Sequence, residues 1–241
     1  MPDTGRLQEH LLPATTPLVG PLYPAPPWKL PGAQVLKVLF ETDAEPVLDS
    51  LPPKLSRSSP PYAVVSVERF PETPVGPFSL ATQYIGCRAG FFIRAFALQA
   101  VVDSAEAMAA LREVWGIPCR LGEVSLASKR GTVKAGAALA GQSLVDLSLQ
   151  NAEAIDFDSL RIDPVISLRL VPSLKEGVRH DLVQLLQLDP DYVVRDAARG
   201  VGAVSYPEGS SWACLPVRNV ISATWCTLDT ELPLARFVIP Y

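Results

Sequence analysis

Arg112-Glu113-Val114-Trp115-Gly116-Ile117-Pro118-Cys119-Arg120-Leu121-Gly122 is the stretch on which the fold turns. It closes the strongest helical pattern of the chain and opens a long series of strand-like runs. Upstream, Asp103-Ser104-Ala105-Glu106 is a capping box, and Ala105 to Trp115 is rich in the helix formers Ala, Met and Leu. Gly116 stops that helix, and Pro118 forbids its continuation. Downstream, short runs recur with turn residues between them. They are Val124 to Ala127, Thr132 to Ala140, Ser143 to Leu149, Val165 to Val171, Asp181 to Leu188, Asp191 to Gly200, Ser210 to Pro216 and Val217 to Leu228. Lys129-Arg130-Gly131 is a hairpin turn between the first two. Many short strands at this spacing predict an antiparallel barrel or sandwich.

The first half of the chain carries the same signal. Val35, Lys37, Leu39 and Glu41 alternate with Leu36, Val38 and Phe40, a period of two that predicts a strand over Ala33 to Glu41. Thr42-Asp43-Ala44-Glu45 fits a capping box before a short helix that ends by Pro52-Pro53. Tyr62 to Phe70 and Phe78 to Gly86 are strands split by a loop with Pro71, Pro74, Gly76 and Pro77, and Ala89 to Val102 is a third. Residues 1–31 form a proline-rich arm, because proline removes backbone donors and fixes φ. With no linker and no internal repeat, residues 1–241 read as a single domain, mainly β with a few helices (α+β).

Composition excludes several function classes. The chain has 241 residues, 48% hydrophobic and 19% charged, with a formal net charge of -4. That apolar share supports a large core. No Lys/Arg cluster offers a surface to nucleic acid or to an anionic membrane. The uncharged apolar runs are shorter than the 18 or so residues of a membrane span. The N-terminus carries Asp3, Glu9 and His10 and does not read as a secretory signal. Four cysteines (Cys87, Cys119, Cys214, Cys226) and two histidines (His10, His180) show no metal-ligand spacing. The expectation is therefore reduced thiols in a cytoplasm, with no metal and no cofactor.

The helix ending in Arg112-Glu113, the turn through Gly116, and Pro118-Cys119-Arg120-Leu121-Gly122 resemble the acetoacetate decarboxylase superfamily. Thr16-Pro17-Leu18 through Trp28-Lys29, Phe40-Glu41-Thr42-Asp43, the Ile162 to Pro172 strand and Leu232-Pro233-Leu234-Ala235 have counterparts in the same order, so the resemblance covers nearly the whole chain. It implies an acetoacetate decarboxylase-like antiparallel β-barrel enclosing a cavity, built as a homo-oligomer. In that family the motif reads Pro-Lys-Lys-Leu-Gly. Its first lysine forms a Schiff base with a keto substrate, and the second lowers the first one's pKa. Here those positions hold Cys119 and Arg120. A thiol forms no iminium, and a guanidinium stays protonated and attacks no carbonyl. Other pocket positions of the family fall on Ala25, Ser66 and Leu80. The six lysines are Lys29, Lys37, Lys54, Lys129, Lys134 and Lys175. Lys37 and Lys134 lie in strands where an inward direction is open, but a solvated lysine fits all six.

The resemblance, with that substitution, implies an enzyme acting without a Schiff base on a small carbonyl or polyketide-like compound. Cyclisation, dehydration, hydrolysis or carbon–carbon cleavage would fit, in a setting of secondary metabolism. A non-catalytic small-molecule-binding pseudoenzyme and a structural subunit remain the alternatives. Arg120 would clamp a carboxylate or stabilise an enolate, or else pair with Glu113 or Glu123. Cys119 is a nucleophile or a small buried hydrophobe. Glu113 and Glu68 are proton-handling candidates, each with a structural or solvated alternative. Ser66, Tyr84, Leu80, Ala25 and Trp28 complete the expected substrate wall. His180 reads as a surface histidine.

Overall fold

A computed structural model describes residues 3–157, 160 and 162–241. The first half contains β1 (Trp28–Glu41), α1 (Ala44–Ser50), β2 (Ser56–Arg57), β3 (Tyr62–Phe70), β4 (Phe78–Ala89), β5 (Phe92–Val102) and α2 (Ala105–Glu113). After the Gly116 turn come β6 (Cys119–Leu121), β7 (Glu123–Lys129), β8 (Thr132–Leu139) and β9 (Gln142–Ala154). The chain closes with β10 (Val165–Pro172), β11 (His180–Leu188), β12 (Asp191–Ser205), β13 (Asn219–Leu232) and β14 (Phe237–Pro240). The protein is thus mostly β with two α-helices among the described residues.

All of these strands share one sheet, in the order β14-β11-β10-β5-β4-β3-β1-β13-β12-β9-β8-β7, with β2 on β4 and β6 on β5. Pairing is antiparallel except at β5, whose outer edge takes β10 at Ala95 and Phe96 and β6 from Ala100 to Val102, both parallel. The sheet curls until β7 lies against β3, β4 and β5. There the Arg69 guanidinium donates to the Leu126 carbonyl at 2.8 Å. These contacts are not ladder pairs, and the ladder path keeps two ends, β14 and β7. The closed barrel expected from the resemblance is therefore not formed by hydrogen-bonded strands among the described residues.

Both faces of the middle strands are covered, which is why they read as continuous apolar runs. On one face Leu36, Val38 and Phe40 of β1 pack with Ala63, Val65 and Val67 of β3, under Leu126, Val145, Leu147 and Leu149 of the curled arm. Leu36, Val38 and Phe40 are fully buried, each contributing about 1.5–3 kcal/mol of hydrophobic stabilisation. On the other face Val35, Leu80, Tyr84 and Ala100 meet Ala107, Ala110 and Leu111 of α2.

Three local details depart from the sequence expectation. Strand β1 starts at Trp28, so the arm ends there; Pro31 sits in a register shift between Leu30 and Ala33, where its missing N–H leaves no ladder gap. Asp43 stands at the N-cap of α1 but makes no capping bond, because Arg218 takes its carboxylate through Nε at 2.9 Å and a terminal nitrogen at 2.6 Å. That guanidinium holds the Asp43 carboxyl below the usual range. Ser210 to Pro216 is not a strand but a 3-10 turn (Ser211–Cys214), begun by the Ser210 hydroxyl accepting from the Trp212 N–H.

At α2 the expected cap forms: Ser104 Oγ accepts from the Ala107 N–H at 3.2 Å. Gly116 follows with φ +65, and an added Cβ there would lie 3.1 Å from the Arg169 backbone nitrogen. Both the left-handed conformation and the close approach demand glycine. The turn therefore delivers Ile117 and Cys119 to the α2-covered face of the sheet.

Candidate functional site

Register builds the site. Across the α2-covered face, Lys37 of β1 stands opposite Ser66 of β3, and Ser66 stands opposite Thr82 of β4. Thr82 faces Ala100 of β5, which faces Cys119 of β6. One residue pair further along, the row runs Val35, Glu68, Leu80, Val102. Side chains in these rows point the same way, because strand residues alternate with a period of two.

Against this face lies a cavity of about 180 Å³. Its apolar wall includes Val35, Phe70, Phe78, Leu80 and Leu228, roofed by Leu111 of α2, Ile117 of the turn and Leu188 of β11. Its polar lining groups are Lys37, Glu68, Tyr84, Asp163, Tyr192 and Thr230. The Ser66 hydroxyl, fully buried, donates to Glu68 Oε1 at 2.8 Å and so aims the carboxylate. Burial, reinforced by the Glu68 charge, pushes the Tyr84 phenol far above its ordinary value. Tyr84 is thus a hydrogen-bond donor at any working pH. Burial also raises the Cys226 thiol to about 11, against a lowering influence of Lys37 and with a raising one of Glu68. Lys37, Glu68 and Cys226 therefore form one electrostatic neighbourhood.

The residues expected from sequence divide into two groups. Glu68, Ser66, Tyr84 and Leu80 are brought together at the cavity. Cys119 shares their face and is buried, but does not line the cavity. Burial pushes its thiol to about 12 although the Arg112 guanidinium pulls it down. It is protonated near neutrality, and only the thiolate is a nucleophile.

Four of the expected residues lie away from the cavity. Arg120 is exposed, because it follows inward-facing Cys119 on β6 and alternation turns it out. Glu113 lies on an open groove on the far side of Ile117, where it accepts from the Tyr23 hydroxyl at 2.6 Å and Thr15 Oγ1 at 3.1 Å. It ties down the N-terminal arm; burial and then this bond raise Tyr23 to about 12. Arg112 donates to the Cys119 carbonyl at 2.9 Å, also a tie. Ala25 is exposed, and Trp28 is fully buried among aromatic rings and does not line the cavity. Consequently Arg120→Ala is expected to change stability by less than about 0.5 kcal/mol in chemical denaturation. It should leave ligand binding in the cavity unchanged; a lost binding isotherm would restore Arg120 to the site.

Sequence reasoning weighed Lys37 as an inward candidate but set it down as solvated, and it passed over Asp163, Tyr192 and Thr230. A signal for Lys37 existed in the alternation of β1, where it shares its face with Val35.

Comparison with known proteins gives a consistent picture. The family model for acetoacetate decarboxylase matches residues 13–241. Acetoacetate decarboxylase 1 of Mesorhizobium japonicum is 24% identical over 236 residues, covering 93% of each chain. The solved acetoacetate decarboxylase of Legionella pneumophila superposes with a TM-score of 0.86 at 20% identity, covering 99% of both chains. The enduracididine biosynthesis enzyme MppR complexed with pyruvate superposes with a TM-score of 0.75 at 16% identity, covering 95% of this chain and 97% of that one.

Proposed function

Because the chain belongs to the acetoacetate decarboxylase family, we propose that it is an enzyme acting on a small carbonyl compound held in the Glu68 cavity. The observation that carries this reading is a carboxylate, oriented by a buried serine, on a largely apolar wall beside a phenol that stays protonated. Glu68 takes a proton from the carbon next to the carbonyl, and Tyr84 donates a hydrogen bond to the oxygen on which charge develops. The resulting enolate is the common entry to carbon–carbon cleavage, cyclisation and dehydration. The family likeness and the pyruvate complex of MppR support a carbonyl substrate. None of these steps calls on an amine at position 119.

A reaction-neutral test is deuterium exchange. Purified protein is incubated in heavy water with a panel of ketones, aldehydes and keto acids, and label at the α-carbon is followed by NMR. Exchange above buffer for at least one compound is the expected result. Binding without exchange across the panel would instead mark a ligand-sequestering protein and end the catalytic reading.

A further inference from the structure

We propose that Thr82 is the positioning residue of this site: when the Tyr84 phenol donates to a bound carbonyl oxygen, Thr82 Oγ1 donates to the phenol oxygen. The inference rests on the carbonyl reading above. It sets a second hydroxyl behind the first, so that enolate charge is shared along a chain of two hydrogen bonds.

Thr82 lies in the middle of β4 and is 1% exposed. Leu80 and Tyr84, two residues away on either side, both line the cavity, and Thr82 stands between them on the same face. Its Oγ1 makes no hydrogen bond among the described residues. The buried hydroxyls of Thr42 and Ser58 share that condition, but they lie in the connections beside α1 and β2, not inside a strand. A buried hydroxyl without a partner costs stability, and valine would fill the same shape without that cost. The cross-strand neighbours do not serve it: Ser66 gives its proton to Glu68, and Ala100 has no polar side-chain atom. Burial, the Glu68 charge and the Cys119 thiol all oppose ionisation of the Tyr84 phenol; the Thr82 hydroxyl alone favours it. That hydroxyl therefore stands beside the phenol oxygen, where added negative charge would supply the partner it lacks. The opposed pair Ser66 and Thr82 play matching parts, one aiming Glu68 and the other backing Tyr84.

The step balances within the site. Glu68 removes the α-proton, the C–H electron pair becomes the C=C bond, and the carbonyl π pair moves to oxygen. Tyr84 keeps its proton and shares it with that oxygen as a hydrogen bond. As the proton is drawn toward the enolate, the phenol oxygen becomes a stronger acceptor, and the bond from Thr82 strengthens. The added bond belongs mainly to the charged state, so it speeds the step without tightening ground-state binding. Return of a proton or deuteron from Glu68 to carbon closes the cycle.

The experiment follows α-exchange of acetone and of pyruvate by the whole protein in heavy water. Saturation-transfer NMR reports their affinity, and calorimetry the melting temperature. Thr82→Val keeps the shape and drops the hydroxyl: exchange should fall about tenfold or more, with affinity unchanged and melting at or above the parent's. Thr82→Ser keeps the hydroxyl and drops a methyl: it should melt lower yet exchange nearly as fast as the parent. A purely structural threonine would give the reverse order, with rate following stability. In a Tyr84→Phe background Thr82→Val should cost no further factor, since the bond it removes has already gone. Parental exchange by Thr82→Val, equal slowing in the Val and Ser variants, or effects that multiply with Tyr84→Phe would overturn the proposal and leave the carbonyl reading intact. Exchange of neither compound by the unmutated protein also overturns it, and the carbonyl reading falls as well only when the full panel of carbonyl compounds is inert. Should Thr82→Val fail to fold, Thr82→Cys, whose thiol is a weak donor, takes its place.

Discussion

Glu68→Gln should lower α-proton exchange by a factor of about 10²–10⁴, the usual contribution of a positioned acid or base. The substitution is nearly isosteric. Its amide oxygen can still accept from Ser66 Oγ, which lies 2.8 Å from Glu68 Oε1, so the side chain should keep its place. What disappears is the ability to bind and release a proton at that point. The melting temperature is expected to stay near that of the unmutated protein, which separates the chemical effect from unfolding. A variant that exchanges as fast as its parent would remove Glu68 from the mechanism. Attention would then pass to Asp163, the other carboxylate on the wall.

Trp28→Ala should cost about 3–5 kcal/mol of folding stability, the range for emptying a buried aromatic site. Trp28 is fully buried. Its ring stacks edge-on to Trp115 at 5.0 Å and lies 6.3 Å from Tyr23, and its indole N–H donates to the Pro24 carbonyl at 3.0 Å. Trp115 in turn donates to the Pro233 carbonyl at 2.7 Å. The cluster therefore ties together the arm, the start of β1, the turn after α2 and the segment after β13. Truncation leaves a void that rings held from several sides cannot fill by collapse. For a chain of this size the loss corresponds to a fall in melting temperature of roughly 6–20 °C. Trp28→Phe keeps one ring and should lose much less. If Trp28→Ala abolished ligand binding while melting like the parent, Trp28 would be a substrate contact and not a structural anchor.

Most of the strands could be read from the chain because each face of the sheet announces itself locally. Tyr62 to Phe70 and the Lys129-Arg130-Gly131 turn are found where the pattern places them, with Arg130 and Gly131 both at positive φ, as a tight hairpin demands. Residue order before Cys119 likewise predicted a helix and a glycine stop. Ser210 to Pro216 misled because apolar residues around a capping serine suit a buried 3-10 turn as well as a strand. Asp43 misled because its partner, Arg218, lies 175 residues away in the chain.

Which candidate residues share the cavity depends on what lies above each side chain. Glu68 and Glu113 are both acids beside apolar runs, yet one lines the cavity and the other fastens the arm. Arg120 was singled out for its place in a motif, and a single step of alternation puts it in solvent. Lys37 was weighed as inward and set down as solvated because a lone lysine in a strand usually is, whereas β1 has no solvated face at its centre.

The order of residues alone determined the β-rich class, the helix stop at Gly116 and the resemblance to the family. These are short-range or collinear features, encoded by periodicity, capping and local sterics. Only the tertiary structure decided that Lys37 and Glu68 line one chamber while Arg120 and Glu113 do not. Strand order and register bring β1 and β6 onto the same face, although 78 residues of chain separate Glu41 from Cys119. No local pattern records which strands a sheet will place side by side, nor what will cover them.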